Sequence, residues 1–189
     1  MKKIATFVSR ILDPFLVMTV VALVGIRRST LTTHAQIIFL ITAFVLMIGI
    51  PAALLALSVK KKWISNWDMS IRSERPKALL IMLAIELLSL IILKPMADAF
   101  LFSFLVLVIV WSIGFSIITH YWKISGHSGI SALGSGLLVS WFGFSVWPVL
   151  LIVPIVSWSR VVRKNHTILQ VIIGAIYSWS LILILHKFI

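Results

Sequence analysis

Residues 99–119 carry no charge, and that run is about as long as a bilayer is thick. Roughly 20 consecutive apolar residues in helical conformation cross the hydrocarbon core. In lipid the backbone N–H and C=O groups must be satisfied internally, which an α-helix does. The rest of the chain has the same character: 61% of the residues are hydrophobic, against about 45–50% in soluble domains. The sequence therefore belongs to an integral, multi-pass membrane protein.

In chain order, 1–12 places Ile4, Phe7, Val8 and Ile11 at helical spacing, with Lys2, Lys3 and Arg10 elsewhere. That pattern predicts a short interfacial helix running into the membrane. Span one, 11–26, is thin and closed by Arg27 and Arg28. Lys2 and Lys3 precede a segment interrupted by Arg10, Asp13 and Pro14, with no small-residue cleavage site, so this span reads as an uncleaved anchor. Span two, 35–59, crosses with tilt despite Pro51 and stops at Lys60, Lys61 and Lys62. The longest polar connection, 63–77, holds Asp68, Arg72, Glu74, Arg75 and Pro76. Span three, 78–93, has Glu86 near its middle, and Lys94-Pro95 make a tight turn. Asp98 is placed to cap span four, 99–119, which ends in His120-Tyr121-Trp122-Lys123. From Ser128 to Trp158 the chain is apolar again, too long for one span; the stretch from Gly143 to Pro148 reverses it into two. The last span, 167–185, is ended by His186-Lys187. The expected fold is an all-α polytopic transmembrane helix bundle of six to seven spans, one domain over 1–189, without repeats or linkers.

Charge narrows the partners. Seventeen Lys and Arg face five carboxylates (Asp13, Asp68, Glu74, Glu86 and Asp98), a net charge of +12. In a membrane protein this points to cytoplasmic loops and anionic headgroups. Nucleic acid is not an expected partner, because no soluble segment is large enough to fold a basic domain. The absence of cysteine excludes disulfides, thiol catalysis and Cys-ligated zinc. With seven spans, every cation except Arg27, Arg28, Lys94 and Lys187 shares one side, which the positive-inside rule makes cytoplasmic. Oligomeric state has no signature here.

Three polar stretches then meet one membrane face: Arg72/Arg75, Ser125-Gly126-His127, and Ser159-Arg160 through His166 to Gln170. The last can be a positive-inside loop that sets topology, or a site for a phosphate headgroup. Arginine presents a planar fork of donors that fits phosphate. Histidine attacks phosphorus or moves a proton near neutral pH. Metal-dependent phosphatases and alcohol phosphatidyltransferases need several Asp or Glu to hold divalent ions, which five scattered carboxylates do not supply. No metal and no cofactor is expected. Two histidines and several arginines instead provide a nucleophile, a general acid and neutralisation of phosphoryl oxygens.

These residues resemble the type 2 phosphatidic acid phosphatase superfamily of membrane lipid phosphatases, whose signatures are K-x6-R-P, P-S-G-H and S-R-x5-H-x3-D. Ser159-Arg160, five residues and His166 match the third; Ile124-Ser125-Gly126-His127 matches three positions of the second; Arg75-Pro76 matches the end of the first. The resemblance covers 68–174. It implies that His166 forms a phosphohistidine and that His127 protonates the leaving oxygen. It also implies that Arg160 and Arg75 hold phosphoryl oxygens, with Ser125 and the Gly126 N–H as added donors. The implied substrate is a membrane lipid: a prenyl diphosphate, phosphatidate or phosphatidylglycerol phosphate.

Three positions depart from the pattern. Asp68 stands where the family has lysine, with Arg72 one turn away as a replacement, or Asp68 orients an arginine. Ile124 replaces proline. Gln170 replaces the aspartate behind the nucleophile; four residues after His166 on a helix, its carbonyl would accept the imidazole N–H without adding charge. This form looks like that of dolichyl diphosphate phosphatases and some microbial relatives. Two other classes stay open: a lipid-phosphate binder or transporter that has lost turnover, and a phosphotransferase to a lipid acceptor. Glu86 is a functional candidate at membrane depth, or is protonated, or is bonded to a hydroxyl such as Ser89 or to another helix. The tryptophans read mostly as interfacial anchors, with Trp111 as packing.

Overall fold

The computed structural model of the protein describes residues 1–69 and 71–185. Its helices are α1 (Lys2–Ile11), α2 (Pro14–Arg28), α3 (Thr33–Phe44), α4 (Ile50–Lys60) and α5 (Arg75–Leu93). They continue with α6 (Ala99–Tyr121), α7 (Gly126–Phe142), α8 (Ile152–Val162) and α9 (Ile168–Leu185). Short 3₁₀ or π segments join several of them, and no strand occurs among the described residues. Among the described residues, six helical stretches are long and apolar enough to cross a membrane: Lys2–Arg28, Thr33–Lys60, Arg72–Met96, Ala99–Tyr121, Phe144–Val162 and Ile168–Leu185. The protein is an all-α, multi-pass membrane protein. The additional span expected from sequence is α7, 17 residues long, at the lower limit for crossing a bilayer. His186 and Lys187 lie outside the described residues.

The chain divides into two units, 1–22 with 124–189, and 23–123. The sequence reads as one domain because composition does not change at either boundary, and the first unit is assembled from both ends of the chain.

In the 23–123 unit, Pro51 is accommodated by a π turn. Proline cannot donate to the carbonyl four residues back and clashes with it. The helix widens over Val45–Gly49 and Ile50 N–H bonds to Val45 O instead. Asp98 caps α6 as expected: Oδ1 accepts from Leu101 N–H at 2.8 Å. Its Oδ2 accepts from Thr30 N–H and from the Thr30 hydroxyl. Burial opposes ionisation of Asp98, but those donors outweigh it and hold the carboxyl below its ordinary range. Glu86 is bonded across helices, its Oε1 accepting from Ser112 Oγ of α6 at 2.9 Å, whereas Ser89 Oγ turns back to Ile85 O. Trp111 is buried and stacks on Phe115 at 4.8 Å between centroids.

In the unit formed by both chain ends, α7 is enclosed. Gly129, Ala132, Gly134 and Ser135 are buried along it, and small residues let membrane helices approach closely. A Cβ on Gly134 would lie 2.9 Å from Val21 Cγ2 of α2, and one on Gly136 would strike Ile182 of α9. Trp141 is buried rather than an exposed anchor, and Trp179 packs against the Ala132, Val153 and Ala175 core. Gly143, at φ 76°, takes a backbone conformation open mainly to glycine. It ends α7 and makes the expected reversal into a 3₁₀ segment, Phe144–Leu151. Helix α1 turns Ala5 and Ser9 inward and leaves Ile4, Phe7 and Ile11 exposed.

Candidate functional site

The C-terminus of α8 sets the first part of the site. Lys164 has φ 59°, and its N–H bonds to Val161 O at 2.9 Å, while Asn165 N–H bonds to Arg160 O at 3.0 Å. These paired bonds around a left-handed residue form a Schellman cap. His166 N–H reaches the same Arg160 carbonyl at 3.4 Å. The five residues between Arg160 and His166 are thus the length needed to end the helix and bring the chain back over its last turn. Arg160 is 1% exposed. Its Nη1 donates to Ser9 Oγ at 2.8 Å, and Arg163 Nη1 donates to the same oxygen at 2.7 Å. One buried serine of α1 therefore fixes both arginines.

The start of α9 sets the second part. Thr167 and Gln170 bond reciprocally: Gln170 N–H to Thr167 Oγ1 at 3.3 Å, and Thr167 N–H to Gln170 Oε1 at 3.2 Å. This is a capping box. Because a backbone N–H can only donate, the atom it meets is the amide oxygen. His166 Nδ1 lies 3.1 Å from that same oxygen and so donates to it, which in the neutral ring puts the lone pair on Nε2. The expected His166–Gln170 bond is present, but for another reason than shared helix face. His166 precedes the helix, and the capping box turns Gln170 back toward it. His166 is 7% exposed.

The start of α7 sets the third. Ser125 N–H donates to Gln170 O at 3.1 Å, tying the first turns of α7 and α9 together. Ser125 is fully buried; its Oγ caps α7, accepting from Ser128 N–H at 3.3 Å and Ser128 Oγ at 3.2 Å. Ser157 Oγ of α8 donates to Ser128 Oγ at 3.0 Å. Ser125 thus orients the turn. Gly126 opens α7, where first-turn N–H groups have no acceptor within the helix. His127 follows, its side chain 12% exposed, with Nε2 at 3.9 Å from Asp13 Oδ2 and 3.5 Å from Arg160 Nη1.

The contacts close on themselves: His166 to Gln170, Gln170 to Ser125, and along the chain to His127. From there they run to Arg160, whose carbonyl meets the His166 N–H. Two sequence motifs are brought into one cluster of two imidazoles and a buried guanidinium. Such a guanidinium is stabilised by negative charge or hydrogen-bond acceptors. Arg72 and Arg75 belong to the other unit. Arg72 Nη1 donates to His120 O and Tyr121 O at the end of α6, and Arg75 Nε donates to Met69 O at 2.8 Å.

Sequence reasoning passed over Ser9, Asp13, Thr167 and Gly174. Thr167 was legible as T-x-x-Q before an apolar run, and Asp13-Pro14 as a helix start, since Asp13 Oδ1 accepts from Phe15 N–H at 2.9 Å. Nothing local marks Ser9. Gly174 is revealed by packing alone: a Cβ there would lie 2.8 Å from Ser125 O. No protein-family model, curated protein or solved structure matches the chain.

Proposed function

We propose that the His166–His127–Arg160 cluster is the site of a metal-independent membrane phosphatase acting on lipid phosphates or diphosphates. The observation that carries this reading is the Gln170 oxygen, which accepts from both Thr167 N–H and His166 Nδ1 and so keeps His166 Nε2 as the nucleophile. Its lone pair forms an N–P bond as the bond from phosphorus to the leaving oxygen breaks, and His127 gives its proton to that oxygen. Water then attacks the phosphohistidine, His127 takes back a proton, and phosphate leaves with His166 regenerated. Arg160 neutralises the phosphoryl oxygens, and the Gly126 N–H adds a donor at a helix N-terminus. Arg72 and Arg75 enter this reading on the motif resemblance alone. Cation counting favours a cytoplasmic site, and with it a substrate made on that face, such as a prenyl diphosphate.

The test is phosphate release by purified protein in detergent with chelator present. Prenyl diphosphates, phosphatidate and phosphatidylglycerol phosphate are offered, with His166→Ala in parallel. Release that resists chelator and disappears in the variant is expected. Phosphate transferred to an added lipid alcohol in place of release identifies a phosphotransferase. Headgroup binding without turnover identifies a binder or transporter.

A further inference from the structure

Two charges of opposite sign face the same nitrogen of His127. Arg160 Nη1, which can only donate, stands 3.5 Å from Nε2 and so meets its lone pair in the neutral ring, and Asp13 Oδ2 stands 3.9 Å from it. A guanidinium disfavours the imidazolium, whereas a carboxylate favours it. A general acid that shares its pocket with the arginine binding the phosphate therefore needs a countercharge to keep its proton. Asp13 is the carboxylate placed to supply one. The corner between α1 and α2 holds it in place: its Oδ1 accepts from Phe15 N–H, which leaves Oδ2 as the atom turned toward His127. Around His127 the charged and titratable groups include Asp13 from that corner, Arg160 from α8, with Arg163 behind it on Ser9, and His166 through Gln170 and Ser125. The nucleophile's partner here is a neutral amide, so the carboxylate serves the acid rather than the nucleophile.

We propose that Asp13 is a positioning residue for His127: when Arg160 turns its donors to the phosphoryl oxygens, the Asp13 charge favours the imidazolium whose Nε2 proton the leaving oxygen receives. Asp13 stays ionised throughout, and the proton passes from His127 to the leaving oxygen. The proposal rests on the reading of His127 as the general acid.

Asp13→Asn tests it, because asparagine caps a helix as well as aspartate does and removes only the charge; Asp13→Ser is a second cap-preserving variant. In protein labelled at histidine nitrogens and held in micelles, with His127→Gln to assign the signal, the titration midpoint of His127 is followed by NMR. It is expected to fall by about one pH unit in both variants. The alkaline limb of kcat/KM for phosphate release moves down by the same amount, about tenfold lower activity on that limb, while thermal unfolding is unchanged. An unmoved His127 midpoint in both variants overturns the proposal. A shifted midpoint in a protein that releases no phosphate from any substrate leaves the Asp13–His127 coupling standing and removes the phosphatase reading. Phosphate release with one pH profile for wild type and both variants keeps the phosphatase and removes the role of Asp13.

Discussion

Gly174→Ala probes the joint on which the cluster depends. A Cβ at 174 would sit 2.8 Å from Ser125 O, 3.5 Å from Ser125 N and 3.6 Å from Gly129 N. All three are backbone atoms of the α7 start, so no side chain can swing aside. Reaching an ordinary contact requires α7 and α9 to part by about 0.6 Å, and overpacking of this kind costs about 1–3 kcal/mol. The same movement stretches the 3.1 Å bond from Ser125 N–H to Gln170 O, which lies one turn earlier on the same face, and losing it costs about 1 kcal/mol more. Alanine returns about 1 kcal/mol through its higher helix propensity. The net expectation is a loss of about 1–3 kcal/mol. Because a 1 Å misplacement of reacting groups can cost about 100-fold, phosphate release should fall about tenfold or more. The assay is thermal unfolding in detergent by circular dichroism, with phosphate release on the same samples. Gly49→Ala is the control: its Cβ would meet Phe44 O at 3.6 Å, an ordinary contact, and it should cost nothing. A Gly174→Ala protein as stable and as active as wild type would refute the close approach and the coupling of that joint to the site.

Other substitutions separate the remaining contributions. Gln170→Ala removes the side-chain half of the capping box and the His166 bond, leaving the 170 N–H on Thr167 Oγ1, and is expected to cost about 1 kcal/mol and at least tenfold in phosphate release. Gln170→Glu keeps the cap and adds a charge beside His166; the acidic limb of the pH profile should move up by about one unit, because the imidazole then holds its proton to higher pH. Lys164, at φ 59°, should tolerate glycine without loss of thermal stability, whereas Lys164→Val should lower stability by about 1–3 kcal/mol and loosen His166. Asp98 has its folded-state value lowered from 3.8, so its contribution is present above that pH and lost as pH falls through the lower folded value. Asp98→Ala should therefore cost about 1 kcal/mol at neutral pH and flatten the acid end of a melting-temperature profile taken against pH.

Legibility in the sequence followed the range of the interaction. Apolar runs gave the helices, and Gly143 and Asp98 marked helix ends, because a reversal or a cap is decided within one turn. The spacing from Arg160 to His166 was also a local matter: a Schellman cap and a capping box are written in adjacent residues and close their bonds over three to six positions. What the sequence could not supply was the choice of neighbour. Ser9 meets Arg160 across 151 residues, and Glu86 bonds to Ser112 rather than to Ser89, one turn away. Lipid is as apolar as the helices it surrounds, so hydrophobic pattern carries no preference for one partner helix over another. That preference is set by where small residues let backbones touch, as Gly134 and Gly174 do, and by which buried polar groups then find each other. The sequence by itself determined the spans and the shape of each polar turn; the tertiary structure alone decided that Ser9 and Asp13 stand beside Arg160 and His127.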